Sequence, residues 1–184
     1  MIYVTAARDV ATTIAAQQID AVLSIEHPGA TDGAGRAPRL DNIPQKILSF
    51  WDIEDETATN GPSSAMVLDG FEFLDHYKYD NVIVHCHAGR SRSVAMTLGW
   101  MARDYGITPA IDAIKDQCTA PAPNMAVIRL VDEMYDFGGT LIDAVENDPD
   151  FTANRAKTEE RRQEIATNNP DLIRQIYPEK FNLG

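Results

Sequence analysis

Cys86 and Arg92 stand six positions apart in the run His85-Cys86-His87-Ala88-Gly89-Arg90-Ser91-Arg92-Ser93. The apolar stretch Asn81-Val82-Ile83-Val84-His85 before them reads as a short buried strand, and residues 92–105 after them as a helix. A strand, a tight loop and a helix N-terminus together make an anion cradle. The helix start offers unpaired N–H groups and a partial positive charge, and the loop turns further N–H groups inward. Gly89 allows the sharp turn. Arg92 supplies a fork for two anion oxygens that lysine cannot copy. A thiol in that positive field loses its proton easily, and the thiolate then faces the phosphorus of a bound phosphate monoester.

The chain holds one other cysteine, Cys118, which lacks such a setting and reads as structural. Two cysteines make no disulfide framework, and they point to a reducing cytoplasm. No cluster has metal-ligand spacing, so neither a metal nor another cofactor is expected.

The elements that must position the loop follow from pattern. Ile2–Val4, Ala21–Ile25 and Lys46–Ile53 read as strands, and Ala7–Gln18 as an alanine-rich helix. Pro28–Arg39 is a glycine-bearing loop, and 52–62 an acidic one. Ser63 or Ser64 caps a helix running to about Tyr77, and Gly106 ends the helix that follows the loop. Thr108-Pro109 starts another helix, 120–123 breaks it, and Asn124 opens a longer one interrupted at Gly138-Gly139. Alternating strands and helices indicate an α/β domain, a central mostly parallel sheet flanked by helices. Residues 1–147 read as a catalytic domain, and 148–184 as a polar C-terminal helical extension or tail, a solvated appendage with no role in chemistry.

At 184 residues, with 44% hydrophobic residues, the chain can bury one good core. A formal charge of -12 repels polyanions, so no nucleic-acid or anionic-membrane partner is expected. No apolar run approaches the ~20 residues of a membrane span. Met1-Ile2-Tyr3-Val4-Thr5 lacks the charged and apolar regions of a signal peptide, and a cytoplasmic location is expected.

His85-Cys86-x5-Arg92-Ser93 resembles the signature loop of the protein tyrosine phosphatase superfamily, in its dual-specificity branch. The resemblance covers roughly residues 1–146 and implies the cysteine-based phosphatase fold. It makes Cys86 the nucleophile that forms a phosphocysteine. Arg92 then binds phosphate and stabilises the transition state, and Ser93 hydrogen-bonds the sulfur and helps it leave. His87, Ala88, Gly89, Arg90, Ser91 and Arg92 supply backbone N–H groups, and His85 orients the loop. The family's general acid is an aspartate on the loop that precedes the long helix. Asp55 ranks first by its distance from the cysteine. Asp52 is the rival, because Phe50-Trp51-Asp52-Ile53 resembles the strand end of bacterial members. Asn124 is either the family's loop brace or an ordinary helix cap. The tyrosine-recognition loop of the large tyrosine-specific enzymes is not visible, which suggests a shallower pocket and a broader substrate range.

The implied activity is phosphomonoester hydrolysis, in the 3.1.3 class. The expected substrates are phosphorylated proteins or small phosphomonoesters. His87 and Arg90 put cationic or near-cationic groups on the loop, as in phosphoinositide and phospholipid-headgroup phosphatases, so a lipid substrate is the alternative. A rhodanese-type sulfurtransferase and a catalytically weak phosphate-binding module are the rivals from other classes.

Overall fold

Four strands carry the apolar runs, and all of them pair in parallel. They are β1 (Ile2–Ala6), β2 (Ala21–Glu26), β3 (Gln45–Ser49) and β4 (Val82–Cys86), in the spatial order β1-β4-β2-β3. A computed structural model describes residues 1–31, 35–55 and 58–169 of the chain. Among the described residues seven α-helices surround the sheet: α1 (Val10–Ala16), α2 (Ser64–His76), α3 (Arg92–Tyr105), α4 (Ile107–Gln117), α5 (Met125–Met134), α6 (Thr140–Glu146) and α7 (Pro149–Asn168).

Because β4 lies between β1 and β2, the strand that ends in Cys86 is central and fully buried. Side chains on a strand alternate between faces. Val82, Val84 and Cys86 point into the larger core, with Leu23 and Ile25 of β2 and the inner faces of α2 to α6. Ile83 and Val22 point to the other face, where Val10 of α1 and Ile14 cover them. All four strands run in one direction, so their carboxyl ends open at one edge, where α/β sheets present their ligand crevice.

Helix α3 is the buried centre of the larger layer, and ten of its residues are buried. It packs closely on its neighbours. A methyl group at Gly99 would stand 2.8 Å from Val131 of α5, and one at Gly70 of α2 would run into Met96.

Local signals set most boundaries. Ser63 Oγ accepts from Met66 N at 3.4 Å and starts α2. Gly106, at φ +92°, ends α3 and turns the chain directly into α4. Helix α4 therefore begins at Ile107 without a side-chain cap, and Thr108-Pro109 lie inside its first turn rather than in front of it. The expected helix over 7–18 is a 3₁₀ turn (Ala7–Asp9) followed by α1, which ends at Ala16. Strand β3 stops at Ser49, not at Ile53, because its partner β2 ends at the paired Glu26. Phe50, Trp51 and Ile53 are buried beyond the strand's end.

The segment after residue 148 forms α7. Asp148 caps it through Oδ1, which accepts from Asp150 N and Phe151 N, both at 3.1 Å. Phe151 is fully buried in the main core with Leu141 and Val145 of α6, so the helix is anchored and not a free appendage. The part of the expected tail beyond residue 169 lies outside the described residues.

Candidate active site

The loop 87–91 joins the end of β4 to the start of α3 at the carboxyl edge of the sheet. Gly89 sits there at φ +67°, against the end of β1. A Cβ on it would lie 2.5 Å from the Thr5 and Ala6 backbone, so only glycine lets the loop pass so close. Ala7 N donates to His87 O at 3.3 Å, and Cys118 Sγ donates to Gly89 O at 3.4 Å. Burial pushes the Cys118 thiol up, which keeps it protonated as that donor. On the outer wall Arg90 Nε donates to Ala120 O at 2.9 Å, and Ala122 N donates to Arg90 O at 2.8 Å. The segment that breaks α4 from α5 is thus also the loop's support.

Cys86 is buried, with its Sγ 3.3 Å from Ser93 Oγ. Burial pushes the thiol up. The Arg92 guanidinium pulls it down, Asp52 opposes that pull, and the Ser93 hydroxyl and N–H add to it. The net position is below the ordinary thiol range.

Arg92 opens α3 and is 2% exposed. Its Nη1 donates to Phe50 O at 2.8 Å and to Glu26 O at 3.2 Å, the chain ends just past β3 and at β2. Its buried Nε has no partner. A buried donor left unpaired on a charged group is costly. Here it lies on the first residue of a helix whose leading N–H groups also lack intrahelical partners. An anion with several oxygens can satisfy these donors together.

His85 lies on the opposite face of β4 from Cys86. Its Nε2 is 2.8 Å from Ser24 Oγ, the residue it pairs with across β2. Gln45 Nε2 donates to the same Ser24 hydroxyl at 2.8 Å, so the serine proton is directed to the imidazole. Burial lowers the His85 pKa to about 4, a backbone hydrogen bond to Cys86 works the other way, and Arg92 lowers it further. The imidazole is therefore neutral at pH 7.

The two acidic candidates part company. Asp52 is partly buried: its Oδ1 accepts from Ser91 Oγ at 2.6 Å and from Asn124 Nδ2 at 3.0 Å, and its Oδ2 from Arg162 Nη2 at 2.8 Å. Burial raises its pKa, but Arg162, Arg92, Ser91 and Asn124 together lower it below the usual carboxylate range. Asp55 is exposed, in the loop between β3 and α2. Asn124 is the cap of α5, and its amide holds the segment after β3 rather than the loop 87–91 directly. Its Oδ1 caps α5 by accepting from Val127 N at 3.1 Å, and its Nδ2 also donates to Ile53 O at 3.0 Å.

His87 and Ala88 are exposed at the mouth. Burial, Arg92 and Arg8 all lower the His87 pKa, so it adds no positive charge at pH 7. Sequence reasoning passed over His27, which packs between the Trp51 ring at 5.1 Å and the His87 ring at 5.8 Å. Burial first, then Arg92 and His87, lower its pKa to about 4. It also passed over Ser24, Gln45 and Arg162. His27 had one signal, its place just past an apolar strand. Among the described residues no group of three or more metal-ligating side chains occurs, and no helix is long and apolar enough to cross a membrane.

A parallel sheet whose central strand feeds a cysteine–arginine loop into a buried helix is a fold this chain shares with the solved structures of human DUSP28, DUSP15 and PTPMT1. Human DUSP28 superposes with a TM-score of 0.56 at 15% identity, over 74% of this chain and 92% of that one. DUSP15 gives 0.57 at 16% identity, over 81% and 93%. PTPMT1 in complex with PI(5)P gives 0.51 at 16% identity, over 74% and 91%. No family model matches the sequence, and no curated protein does either.

Proposed function

We propose that this chain is a cysteine-dependent phosphomonoester hydrolase of the 3.1.3 class. The observation that carries this reading is the unpartnered, buried Nε of Arg92 beside a thiol held below its ordinary range. In the proposed reaction the phosphate oxygens take the α3 N-terminal N–H groups and the Arg92 guanidinium. The Cys86 thiolate attacks phosphorus in line, forming the S–P bond as the ester P–O bond breaks, and Asp55 protonates the leaving oxygen. Water then attacks the phosphocysteine, giving its proton to the Asp55 carboxylate, and the P–S bond breaks to release phosphate and return the sulfur as a thiolate steadied by Ser93. His85 and Asn124 position the loop. Asp52, held ionised by its donors, is a poor proton donor and serves as a brace.

Phosphorylated proteins or small phosphomonoesters are the favoured substrates. A neutral His87, and an Arg90 whose Nε is engaged by Ala120 O, support a site with one strong anion position. A phosphoinositide or phospholipid headgroup is the second reading, favoured by the fold shared with a PI(5)P-bound structure. Both cysteines are free thiols, which suits a cytoplasmic setting.

The test is hydrolysis of para-nitrophenyl phosphate by wild type and Cys86→Ser, followed by phosphopeptides and phosphoinositides in parallel. Turnover lost in Cys86→Ser with vanadate binding kept is the expected outcome. Binding without turnover in the wild type would make the chain a phosphate-binding module. Persulfide formation on Cys86 would make it a sulfurtransferase.

A further inference from the structure

The inward face of α7 runs Phe151, Arg155, Thr158 and Arg162, spaced by four, three and four residues, so one helical stripe leads from the core to Asp52. Phe151 anchors the first turn, and Asn154 Nδ2 donates to Pro121 O at 3.1 Å on the segment that supports Arg90. Farther along, Arg162 reaches Asp52 Oδ2 at 2.8 Å, with side chains only 25% and 14% exposed. The other oxygen of Asp52 holds the Ser91 hydroxyl. Ser91 is the last residue before α3 and takes no part in a side-chain cap of its own helix. A relay of two contacts therefore joins the last described helix to the loop.

We propose that Arg162 is a positioning residue of the phosphate site: by neutralising Asp52 it lets that carboxylate hold Ser91 and the loop without competing for Arg92 or repelling the bound anion. The inference rests on the phosphatase reading for its effect on turnover, though not for its effect on anion binding. The physical need is clear from the charges facing Asp52. Arg92 comes from α3, Arg162 from α7 and a neutral His27 from the end of β2, with Ser91 and Asn124 as dipoles. Asp52 opposes the Cys86 thiolate, and a phosphate dianion would meet the same field. Without Arg162 the full guanidinium near Asp52 would be Arg92, the group the anion requires. Asp52 Oδ1 holds Ser91 and Asn124 and its Oδ2 holds Arg162, so Arg92, which acts on Asp52 through charge alone, is left to serve the ligand.

The test uses the full chain with Arg162→Gln, Arg162→Lys, Asp52→Asn and the Arg162→Gln/Asp52→Asn double variant. Vanadate and inorganic phosphate affinities, kcat/KM on para-nitrophenyl phosphate and thermal midpoints are measured for each. Arg162→Gln is expected to weaken vanadate binding and kcat/KM by about tenfold, the size of one charge-assisted hydrogen bond. Arg162→Lys keeps the charge and is expected within about threefold of wild type on the same scale. The double variant is expected to recover vanadate affinity relative to Arg162→Gln, because the uncompensated carboxylate is gone. A merely structural Arg162 would make the double variant as weak as or weaker than the single one, with affinity tracking the thermal midpoint. That result overturns the proposal, as does equal loss in the Lys and Gln variants, or a Gln variant within twofold of wild type. A wild type that binds vanadate but turns nothing over sinks the phosphatase reading alone, since the binding cycle still reports on Arg162.

Discussion

The Ser91 hydroxyl donates to Asp52 Oδ1 at 2.6 Å. A carboxylate committed in this way, and paired with Arg162 on its other side, stays ionised where a general acid must keep its proton. Under the proposed reaction Asp55→Asn slows phenyl and alkyl phosphates by about 10²–10⁴-fold and spares esters of acidic phenols. It also removes the basic limb of the pH–rate profile. Asp52→Asn is expected to lower the thermal midpoint with little change in leaving-group dependence. Rate constants across a series of phenyl phosphates decide between them, and a leaving-group effect confined to Asp52→Asn reverses the assignment.

Cys86 is expected to react with iodoacetate below the pH that an ordinary thiol of pKa ~8.5 requires, with inorganic phosphate protecting it. Arg92 is the main group pulling the thiol down, and Ser93 helps. Arg92→Lys and Ser93→Ala should each move the alkylation profile to higher pH, the arginine variant more. A wild-type profile centred on the ordinary thiol value would contradict the anion cradle.

Acid should destabilise the fold earlier than carboxylate protonation alone explains. His85 and His27 each titrate near 4 when folded, because burial disfavours the imidazolium, against 6.5 otherwise. Between those values the unfolded chain binds protons that the folded chain refuses. Their contribution is therefore whole above pH 6.5 and is lost as pH falls toward 4. In His85→Gln, proton uptake on unfolding at pH 5 should drop by about one. Thermal midpoints against pH, followed by circular dichroism, measure this. A wild-type midpoint that is flat from pH 7 to pH 5 would refute it.

Gly89→Ala meets two obstacles, a φ of +67° and a Cβ placed 2.5 Å from the backbone of Thr5 and Ala6. The strain alone is about 1–3 kcal/mol, and β1 would have to shift as well. Loss of vanadate binding together with a lower thermal midpoint is the expected result. An alanine variant that binds vanadate like wild type would mean that the loop has another accessible path.

The strand–loop–helix setting of His85–Ser93 was legible in the sequence because the signals there are local. A strand end, a glycine, an arginine and a helix start follow one another along the chain, and each carries its own backbone preference. Ser63, Asn124 and Gly106 were legible for the same reason, since caps and stops act within a turn. Strand order, by contrast, leaves no local trace. Only the folded sheet places β4 beside β2, so that Ser24 meets His85 across 61 residues. The apolar run Phe50-Trp51-Asp52-Ile53 looks like a strand's continuation. Its backbone leaves the ladder because β2 ends, and Phe50 O turns to Arg92. Arg162 lay farthest from view, in a stretch whose composition resembles any solvated helix. Its role depends on meeting Asp52, 110 residues earlier, and periodicity carries no information about a contact of that separation.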